Sequence, residues 1–171
     1  MPLRLLCFLL SSANPITKAK KSMKAVLQRV SRATVRVEQK IVGSIAAGLV
    51  VLLCVEEGDD AETAEYFAGK IARMRIFSDS EDRFNLSLLD TGGRALVISQ
   101  FTLAANWRKG NRPSFSKAAG PEMAKAIYDG FCKSLRSMDI AVETGVFAAH
   151  MALDLENDGP VTIWMDSTSP S

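Results

Sequence analysis

The first of two short runs able to perform chemistry is Ser-Gln-Phe-Thr-Leu at residues 99–103, directly after the apolar stretch 95–98. If the chain leaves a strand sharply here, backbone amides and the Thr102 hydroxyl point into one pocket. Amides arranged in this way stabilise a developing oxyanion, which is usually the largest single contribution to catalysis. The alternative is that this run merely ends a strand, with Phe101 and Leu103 packing below it.

The second run is Asn-Asp-Gly-Pro-Val-Thr at residues 157–162. These residues are typical of a β-turn, and a proline close to a strand start suits a sheet edge. A functional interpretation requires a cis bond at Pro160, which costs only about 0.5–1 kcal/mol relative to trans. A cis unit points successive carbonyls the same way, and Gly159 lets a ligand approach the main chain closely. Such a pair can sense which face of a substrate Cα carries the side chain.

Other catalytic groups are few. His150 is the only histidine, so a Ser/His/Asp triad would have to be built on it, and no second His or nearby Cys completes a metal site. We expect His150 to be a surface or packing residue. Glu156 and Asp158 share one segment, but no carboxylate is placed opposite them. We therefore expect no metal and no other cofactor.

Period-two patterning predicts strand over residues 24–37 and another short strand at 41–45, and the continuous apolar run 49–55 predicts a strand buried on both faces. Residues 95–98 form a short central strand. Further strands are predicted near 141–144, 151–155 and 161–165. Asp59 or Asp60 can cap a first helix, and a second begins near Pro121. The chain is thus α/β (α+β-like), with a mainly antiparallel or mixed β-sheet and two principal helices.

Composition fits one globular domain, with 171 residues of which 47% are hydrophobic and 23% charged. No apolar run approaches the roughly 18 residues of a membrane-spanning helix. The three cysteines, Cys7, Cys54 and Cys132, are odd in number and lack a CxxC spacing. They indicate buried thiols in a reducing compartment rather than a disulfide framework or a zinc site.

Residues 1–22 are expected to be an N-terminal extension, disordered or upstream of a true start at Met23. They hold four of the 21 basic residues and no acidic residue, so the rest of the chain is slightly acidic. Any binding of a nucleic acid would then rely on a local basic patch. The domain is predicted to span 23–167, with a short tail at 168–171. A second possibility is a secreted hydrolase cleaved after Ala13, although the apolar stretch 5–10 is short for a signal peptide.

Five motifs, at 23–30, 99–103, 111–115, 144–147 and 157–162, occur together in an order and spacing that resembles the D-aminoacyl-tRNA deacylases. The resemblance runs from Met23 to about Met165. It implies a barrel-like sheet, a cytoplasmic homodimer and hydrolysis of the ester that joins a D-amino acid to the 3′ end of tRNA.

The resemblance also implies roles for individual residues. The aminoacyl group and terminal adenosine would be held by Ser99, Gln100, Phe101 and Thr102, with Phe147 and Met151 on the adenine side. Gly159-Pro160 would be the cis chirality filter, inserted into the partner subunit's pocket, and Arg29 would brace it. Without the resemblance, the sequence favours an ordinary surface arginine at position 29. We nominate the basic loop residues Arg108, Lys109 and Arg112 for RNA phosphates, the alternative being a solvated loop.

The absence of a general base favours a mechanism of positioning, in which a ribose hydroxyl of the substrate supplies part of the acid/base chemistry. Thr102 would orient the substrate; the competing idea makes it a nucleophile, although no base beside it is identifiable. Because glycine lacks a Cβ, a steric filter should also admit glycyl-tRNA, including glycine mischarged on alanine tRNA. The rival from another class is a non-catalytic RNA- or nucleotide-binding module that uses the same pocket.

Overall fold

The structure, a computed structural model, describes residues 21–168. The apolar stretch 5–10, Cys7, Ala13 and the last three residues lie outside this part of the chain. The strands are β1 (Lys24–Val37), β2 (Lys40–Ile45), β3 (Gly48–Cys54), β4 (Phe77–Ser78), β5 (Phe84–Leu86), β6 (Arg94–Ser99), β7 (Val142–Thr144) and β8 (Ala152–Asp166). The helices are α1 (Ala61–Arg73), α2 (Leu88–Thr91) and α3 (Pro121–Arg136), together with a 3-10 turn at Phe101–Ala104 that we call the site turn.

The main sheet is mixed and curls on itself. Its long strand β1 pairs antiparallel with β2, β3 and β8, whereas β3, β6 and β7 run parallel to one another. The curl brings β2 against β6 and β7, where a Cβ on Gly43 would lie 2.7 Å from the Thr144 carbonyl oxygen. The sheet is therefore barrel-like, and the predicted fold class is confirmed.

Strand β3 explains why residues 49–55 are continuously apolar. Leu49, Val51 and Leu53 face a core shared with α1 and α3, while Val50 faces a second core inside the curled sheet. A strand covered on both faces has no polar side. The predicted burial of this run is confirmed, and its neighbour β6 is central as expected.

Both principal helices begin at the predicted signals. Asp60 caps α1 by accepting a hydrogen bond from the Thr63 backbone N–H at 2.9 Å, and Pro121 lies in the first turn of α3. The apolar stripes of the two helices face the sheet and bury Phe67 and Phe131 almost completely. Each such side chain contributes about 1.5–3 kcal/mol through burial. Cys54 and Cys132 are buried free thiols, as predicted.

Two parts of the chain differ from prediction. Residues 151–155 and 161–165 belong to one strand, β8, because pairing with β1 resumes after an interruption opposite Arg29. The segment between α1 and β6 contains two elements that the sequence did not predict, a small hairpin, β4–β5, and the short helix α2. Helix α2 begins in a capping box in which the Ser87 and Asp90 side chains bind each other's backbone N–H.

The two ends of the described chain meet. Lys24 of β1 pairs with Asp166 of β8, and the Ser167 N–H donates to the Met23 carbonyl at 2.9 Å. No helix within residues 21–168 has the length and apolar character needed to cross a membrane.

Candidate active site

The site turn is placed by the backbone of two core strands. Strand β6 runs parallel to β3 with Ser99 opposite Leu53, and the next residue, Gln100, donates its backbone N–H to the Leu53 carbonyl at 2.8 Å. The chain then leaves the sheet into the site turn. The position of the turn therefore follows from the pairing of the core.

The turn presents backbone N–H groups. Phe101 and Thr102 are its first two residues, so their N–H groups have no partner inside it, and neither donates a hydrogen bond elsewhere in residues 21–168. The Thr102 hydroxyl accepts a hydrogen bond from Gln100 Nε2 at 2.5 Å. The turn thus offers unpaired amide donors, while its hydroxyl is already engaged by a neighbouring side chain.

A cavity of about 520 Å³ lies beside the site turn. It brings together five of the residues singled out from the sequence, which are Ser99, Gln100, Phe101, Phe147 and Met151. Its remaining walls come from residues that sequence reasoning missed, mainly small or apolar side chains, which are Val55, Ile98, Ala118, Ala119, Pro121, Ala124, Ala148, Ala149, His150 and Leu153. A pocket with such walls suits an apolar or aromatic group.

The apolar wall is fixed by packing. The Phe147 ring lies 5.9 Å from the ring of Tyr128, whose hydroxyl donates to the Val97 carbonyl at 2.7 Å. Met151 packs on the core inside the sheet, and its sulfur occupies the space that a Cβ on Gly145 would need. Phe147 and Met151 thus both line this cavity, each held by packing on a different part of the core.

Two further groups near the turn are informative. His150 is exposed, as expected, yet it also lines the cavity. Cys54 is buried and its thiol contacts the Phe101 carbonyl at 3.6 Å. Burial raises the pKa of the Cys54 thiol to about 11, so it stays protonated near neutral pH and is a poor nucleophile.

The second run forms a loop on β8. Gln28 pairs with Thr162 and Val30 with Asn157, so residues 158–161, which we call the β8 loop, stand opposite Arg29 alone. The Gly159–Pro160 peptide bond is cis, and Gly159 has φ +123°. Both residues are exposed. The β8 loop therefore interrupts the strand pairing and leaves Gly159 and Pro160 accessible on the surface of this chain.

Arg29 holds the β8 loop from beneath. Arg29 as a whole is 8% exposed; its Nε lies 3.0 Å from Asp158 Oδ2 and donates to the Asp158 carbonyl at 3.3 Å. Nη1 donates to the Ile76 carbonyl at 2.8 Å, and Phe84 of β5 lies under the guanidinium at 5.3 Å. Arg29 thus links the loop to the β4–β5 hairpin and is not an ordinary surface arginine.

Asn157 is a residue whose role the sequence reasoning missed. Its side-chain amide donates to the Arg29 carbonyl at 3.1 Å and to the Val161 carbonyl at 3.0 Å. These bonds close the base of the β8 loop. The signal available in the sequence was an Asn at the start of a turn-forming run, since its amide readily binds nearby backbone.

The basic loop, residues 107–113, is closed by paired backbone hydrogen bonds between Asn106 and Ser114 of 2.8 and 3.0 Å. Arg108, Lys109 and Arg112 are exposed there, and none of them forms an ion pair among the described residues. The loop adjoins the site turn through Phe115, whose ring meets the Phe101 ring edge-on at 5.2 Å.

The sequence-predicted site residues therefore fall into separate groups. One group lines the cavity, Arg29 and the β8 loop form another, and the basic loop forms a third. Thr102 borders the cavity without lining it, and within residues 21–168 the β8 loop does not reach the cavity of its own chain. This part of the chain also contains no group of three or more His, Cys, Asp or Glu side chains placed to hold a metal ion.

Comparison with known proteins assigns the family. The model of the family described as D-Tyr-tRNA(Tyr) deacylase matches residues 26–166. The chain is 54% identical over 145 residues to the D-aminoacyl-tRNA deacylase of Thermomicrobium roseum, covering 85% of this chain and 94% of that protein. It is 57% identical over 145 residues to that of Chloroflexus aurantiacus, covering 85% and 91%. The chain belongs to the D-Tyr-tRNA(Tyr) deacylase family, as its motifs predicted.

Solved structures share the fold. The c-Myc DNA unwinding element binding protein superposes with a TM-score of 0.79 at 36% identity, covering 86% of this chain and 99% of that one. A probable eukaryotic D-amino acid tRNA deacylase superposes with a TM-score of 0.74 at 20% identity, covering 85% and 99%. The second likeness concerns the fold alone.

Proposed function

We propose that this protein hydrolyses the ester bond of D-aminoacyl-tRNA, releasing free D-amino acid and tRNA, and so performs chiral proofreading in the cytoplasm. Its membership of a deacylase family confirms the prediction of a hydrolase acting on carboxylic esters. The observation that carries the proposal is the cavity bordered by the free amides of the site turn. An aminoacyl ester in this cavity would have donors beside its carbonyl.

In the proposed reaction, a water oxygen attacks the ester carbonyl carbon and the bond to the ribose oxygen breaks. The N–H groups of Phe101 and Thr102 donate hydrogen bonds to the carbonyl oxygen and stabilise the negative charge that develops on it. A neighbouring ribose hydroxyl assists proton transfer from the water to the departing ribose oxygen. Thr102 contributes by position, and its hydrogen bond from Gln100 supports that role over nucleophilic attack.

We further propose that the terminal adenine binds against Phe147 and Met151. Both line the cavity, whose mainly apolar surroundings suit a flat aromatic base. Ser99 and Gln100 then face the aminoacyl group. The phosphates that precede the adenosine would meet Arg108, Lys109 and Arg112, which form no ion pair with any carboxylate in residues 21–168.

The proposed chirality filter is Gly159-Pro160 supplied by a second copy of the chain. The pair is exposed and does not line the cavity of its own chain, which supports its insertion into a partner's cavity in a homodimer. An L-amino acid would drive its Cβ against the filter carbonyls, whereas a D-amino acid would point its side chain away. Glycine has no Cβ, so glycyl-tRNA, including glycine mischarged on alanine tRNA, would also be hydrolysed.

The rival function is a non-catalytic nucleic-acid-binding module. It is favoured by the unpaired cations of the basic loop and by the name of the c-Myc DNA unwinding element binding protein, which is 36% identical to this chain. A binding module would retain RNA without cleaving the ester.

The decisive experiment is a deacylation assay with D-tyrosyl-tRNA, L-tyrosyl-tRNA and glycyl-tRNA. We expect release of D-tyrosine and glycine and retention of the L-tyrosyl ester. Binding of D-tyrosyl-tRNA without hydrolysis would favour the rival. If glycyl-tRNA stays intact under conditions that clear D-tyrosyl-tRNA, the steric account of the filter fails while the deacylase activity stands.

A further inference from the structure

We infer that the apolar stretch at residues 5–10 docks into a groove between α1 and α3 of the same chain, and so holds the N-terminal extension against the domain. This helix groove has a volume of about 810 Å³ and lies outside the active site. None of its lining residues belongs to the site turn, the active-site cavity or β8. The proposed homodimer, which sets the β8 loop of one chain into the cavity of the other, therefore involves different elements.

Helix α1 forms one side of the helix groove along its whole length. The lining residues run from Glu62 to Met74 and recur at spacings of three and four, so they share one face of the helix. This face lies beside the buried stripe that packs on the core. The other side of the groove is formed at the end of α3 by Ser134, Ser137 and Met138.

The side chains in the helix groove suit an apolar occupant. Tyr66 is 58% exposed there, and Met74 and Met138 are partly buried against the core. Methionine side chains adapt to irregular apolar partners. Gly69 leaves the middle of the groove without a side chain, and a Cβ at this position would meet only the end of Arg73. The groove is therefore open to leucine and phenylalanine side chains such as those of residues 5–10.

The described part of the chain begins beside the helix groove. Lys21 Nζ lies 2.8 Å from Glu62 Oε2 and 3.1 Å from Asp60 Oδ2, and Glu62 lines the groove. Residues 11–20, between the apolar stretch and Lys21, span at most about 33 Å. The 13 residues of α1 extend for only about 20 Å. The apolar stretch can therefore reach every part of the groove.

Charge favours this chain's own extension as the occupant. Lys18 and Lys20 precede Lys21, and residues 1–22 contain no acidic residue. Glu65 follows Glu62 along the groove and forms no ion pair within residues 21–168. The basic residues thus approach the acidic end of the groove. A connection of this length also gives the apolar stretch an effective concentration on the order of millimolar, which a separate peptide lacks.

Disulfide trapping tests the docking directly, because the apolar stretch contains Cys7. Ser137→Cys places a thiol in the helix groove, and the other two cysteines, Cys54 and Cys132, are buried. Oxidised glutathione supplies the oxidant and takes up the two electrons that the thiols release. We expect the full-length variant to form an intramolecular disulfide with Cys7. Mass spectrometry of unreduced peptides identifies this bond and follows its rate of formation.

The matched control is Asp129→Cys, which places an exposed thiol on the face of α3 that does not line the groove. The two positions are about 12 Å apart along the helix, so a stretch with no preferred site would reach both. We expect the disulfide to form at least about tenfold faster with Ser137→Cys. Equal rates would overturn the inference. Disulfides that join two copies of the chain would also overturn it, because the groove would then hold a neighbour's segment.

A charge reversal tests the acidic end of the helix groove. Added to Ser137→Cys, Glu65→Lys should slow disulfide formation about threefold, and the difference should shrink as salt is added. The control is Glu122→Lys in the first turn of α3, which does not line the groove. Equal rates with the two reversals would contradict the approach of the basic residues along this end.

Stability gives an independent test in the full-length protein. Leu6→Asp combined with Leu9→Asp should lower the urea midpoint by about 0.5 M, because a docked stretch would have to expose the new carboxylates. Ser11→Asp combined with Ser12→Asp adds the same charge outside the stretch and should leave the midpoint unchanged. Equal midpoints for the two double variants would overturn the inference.

The intact mass of the protein isolated from its own cells tests the premise. A mass that lacks residues 5–10 would overturn the inference, since the groove would then have no such occupant. None of these experiments measures deacylation, so a chain that cleaves no ester would contradict the proposed function and leave the docking to be decided by the trapping rates.

Discussion

The site turn and the β8 loop are held in different ways. The turn is positioned by backbone pairing between β6 and β3, and the Gln100 N–H extends that pairing to its first residue. The β8 loop is an interruption in the pairing of β8 with β1, held by the side chains of Arg29 and Asn157. A single side-chain substitution should therefore leave the position of the site turn unchanged. The position of the β8 loop, in contrast, depends on the side chains of Arg29 and Asn157.

The largest effect is expected for Gly159→Ala. A Cβ at this position would lie 2.8 Å from Val161 Cγ2 and 3.1 Å from Arg29 Nη2, and φ +123° disfavours any side chain. We expect kcat/KM for D-tyrosyl-tRNA to fall about 100-fold, because a displacement of about 1 Å can cost that much. Steady-state deacylation measures it.

The matched control for that substitution is Gly130→Ala within α3, where a Cβ would meet nothing within 4 Å. It should leave kcat/KM unchanged and raise the free energy of unfolding by about 0.5–1 kcal/mol. If Gly159→Ala behaved like this control, the loop would have no part in the reaction.

Arg29→Lys should have the next largest effect. A lysine cannot bind the Asp158 and Ile76 carbonyls with a fixed fork. Hydrogen bonds from a charged donor contribute about 1.5–3 kcal/mol, so we expect about a thirtyfold loss in kcat/KM, together with destabilisation measured by urea unfolding. The control is Arg32→Lys on the same strand, which alters an exposed pair with Glu156. Equal kinetics in the two variants would show that Arg29 does not hold the loop.

Thr102→Ala should have a smaller effect, because it removes one side-chain hydrogen bond and leaves the turn's backbone pairing intact. A neutral hydrogen bond contributes about 0.5–1.5 kcal/mol, so we expect about a fivefold loss in kcat for D-tyrosyl-tRNA. Single-turnover deacylation together with a tRNA-binding measurement separates the two steps. Near-complete loss of hydrolysis with normal binding would make Thr102 the nucleophile.

The smallest effect is expected for a substitution of Asp60, which belongs to neither the site turn nor the β8 loop, and it concerns the pH dependence of stability. Hydrogen bonds from the Thr63 backbone and side chain, with Lys21 beside it, hold the pKa of Asp60 at about 2, below the value of about 3.9 in an unfolded chain. Its ionised form stabilises the fold above about pH 4, and this contribution is lost as the pH falls towards 2. Urea unfolding at pH 6 and pH 2.5 should show a smaller loss of stability for Asp60→Asn than for the original chain. Equal losses would contradict the assignment.

Much of the fold could be predicted because its signals are local. Alternation over residues 24–37 matches β1, and Asp60 and Pro121 mark the helix starts. The β4–β5 hairpin was missed because its short strands have little periodicity. Strand β8 was split in two because Gly159 and Pro160 are local breakers, whereas its continuity comes from pairing with the distant β1.

The site was predictable in part for the same reason. Short motifs that are recognisable in the sequence itself contain Ser99, Gln100 and Gly159. The alanines at 118, 119, 148 and 149 line the cavity only once α3 has packed against the sheet. An alanine side chain carries no sequence signal of such a role. Asn157 and the contact of Arg29 with Ile76 likewise depend on elements far apart in sequence.

The contact between Met23 and Ser167 would allow the elements of the domain to be connected in a different order. Because these two residues are adjacent, a short Gly/Ser linker could join residue 167 to residue 23, and new ends could be opened in the exposed hairpin tip near residue 81. Such a circular permutant would keep every strand pairing of the main sheet, while the site turn and the β8 loop would both be synthesised before β1. The arrangement of the strands would then not depend on the order in which the chain connects them.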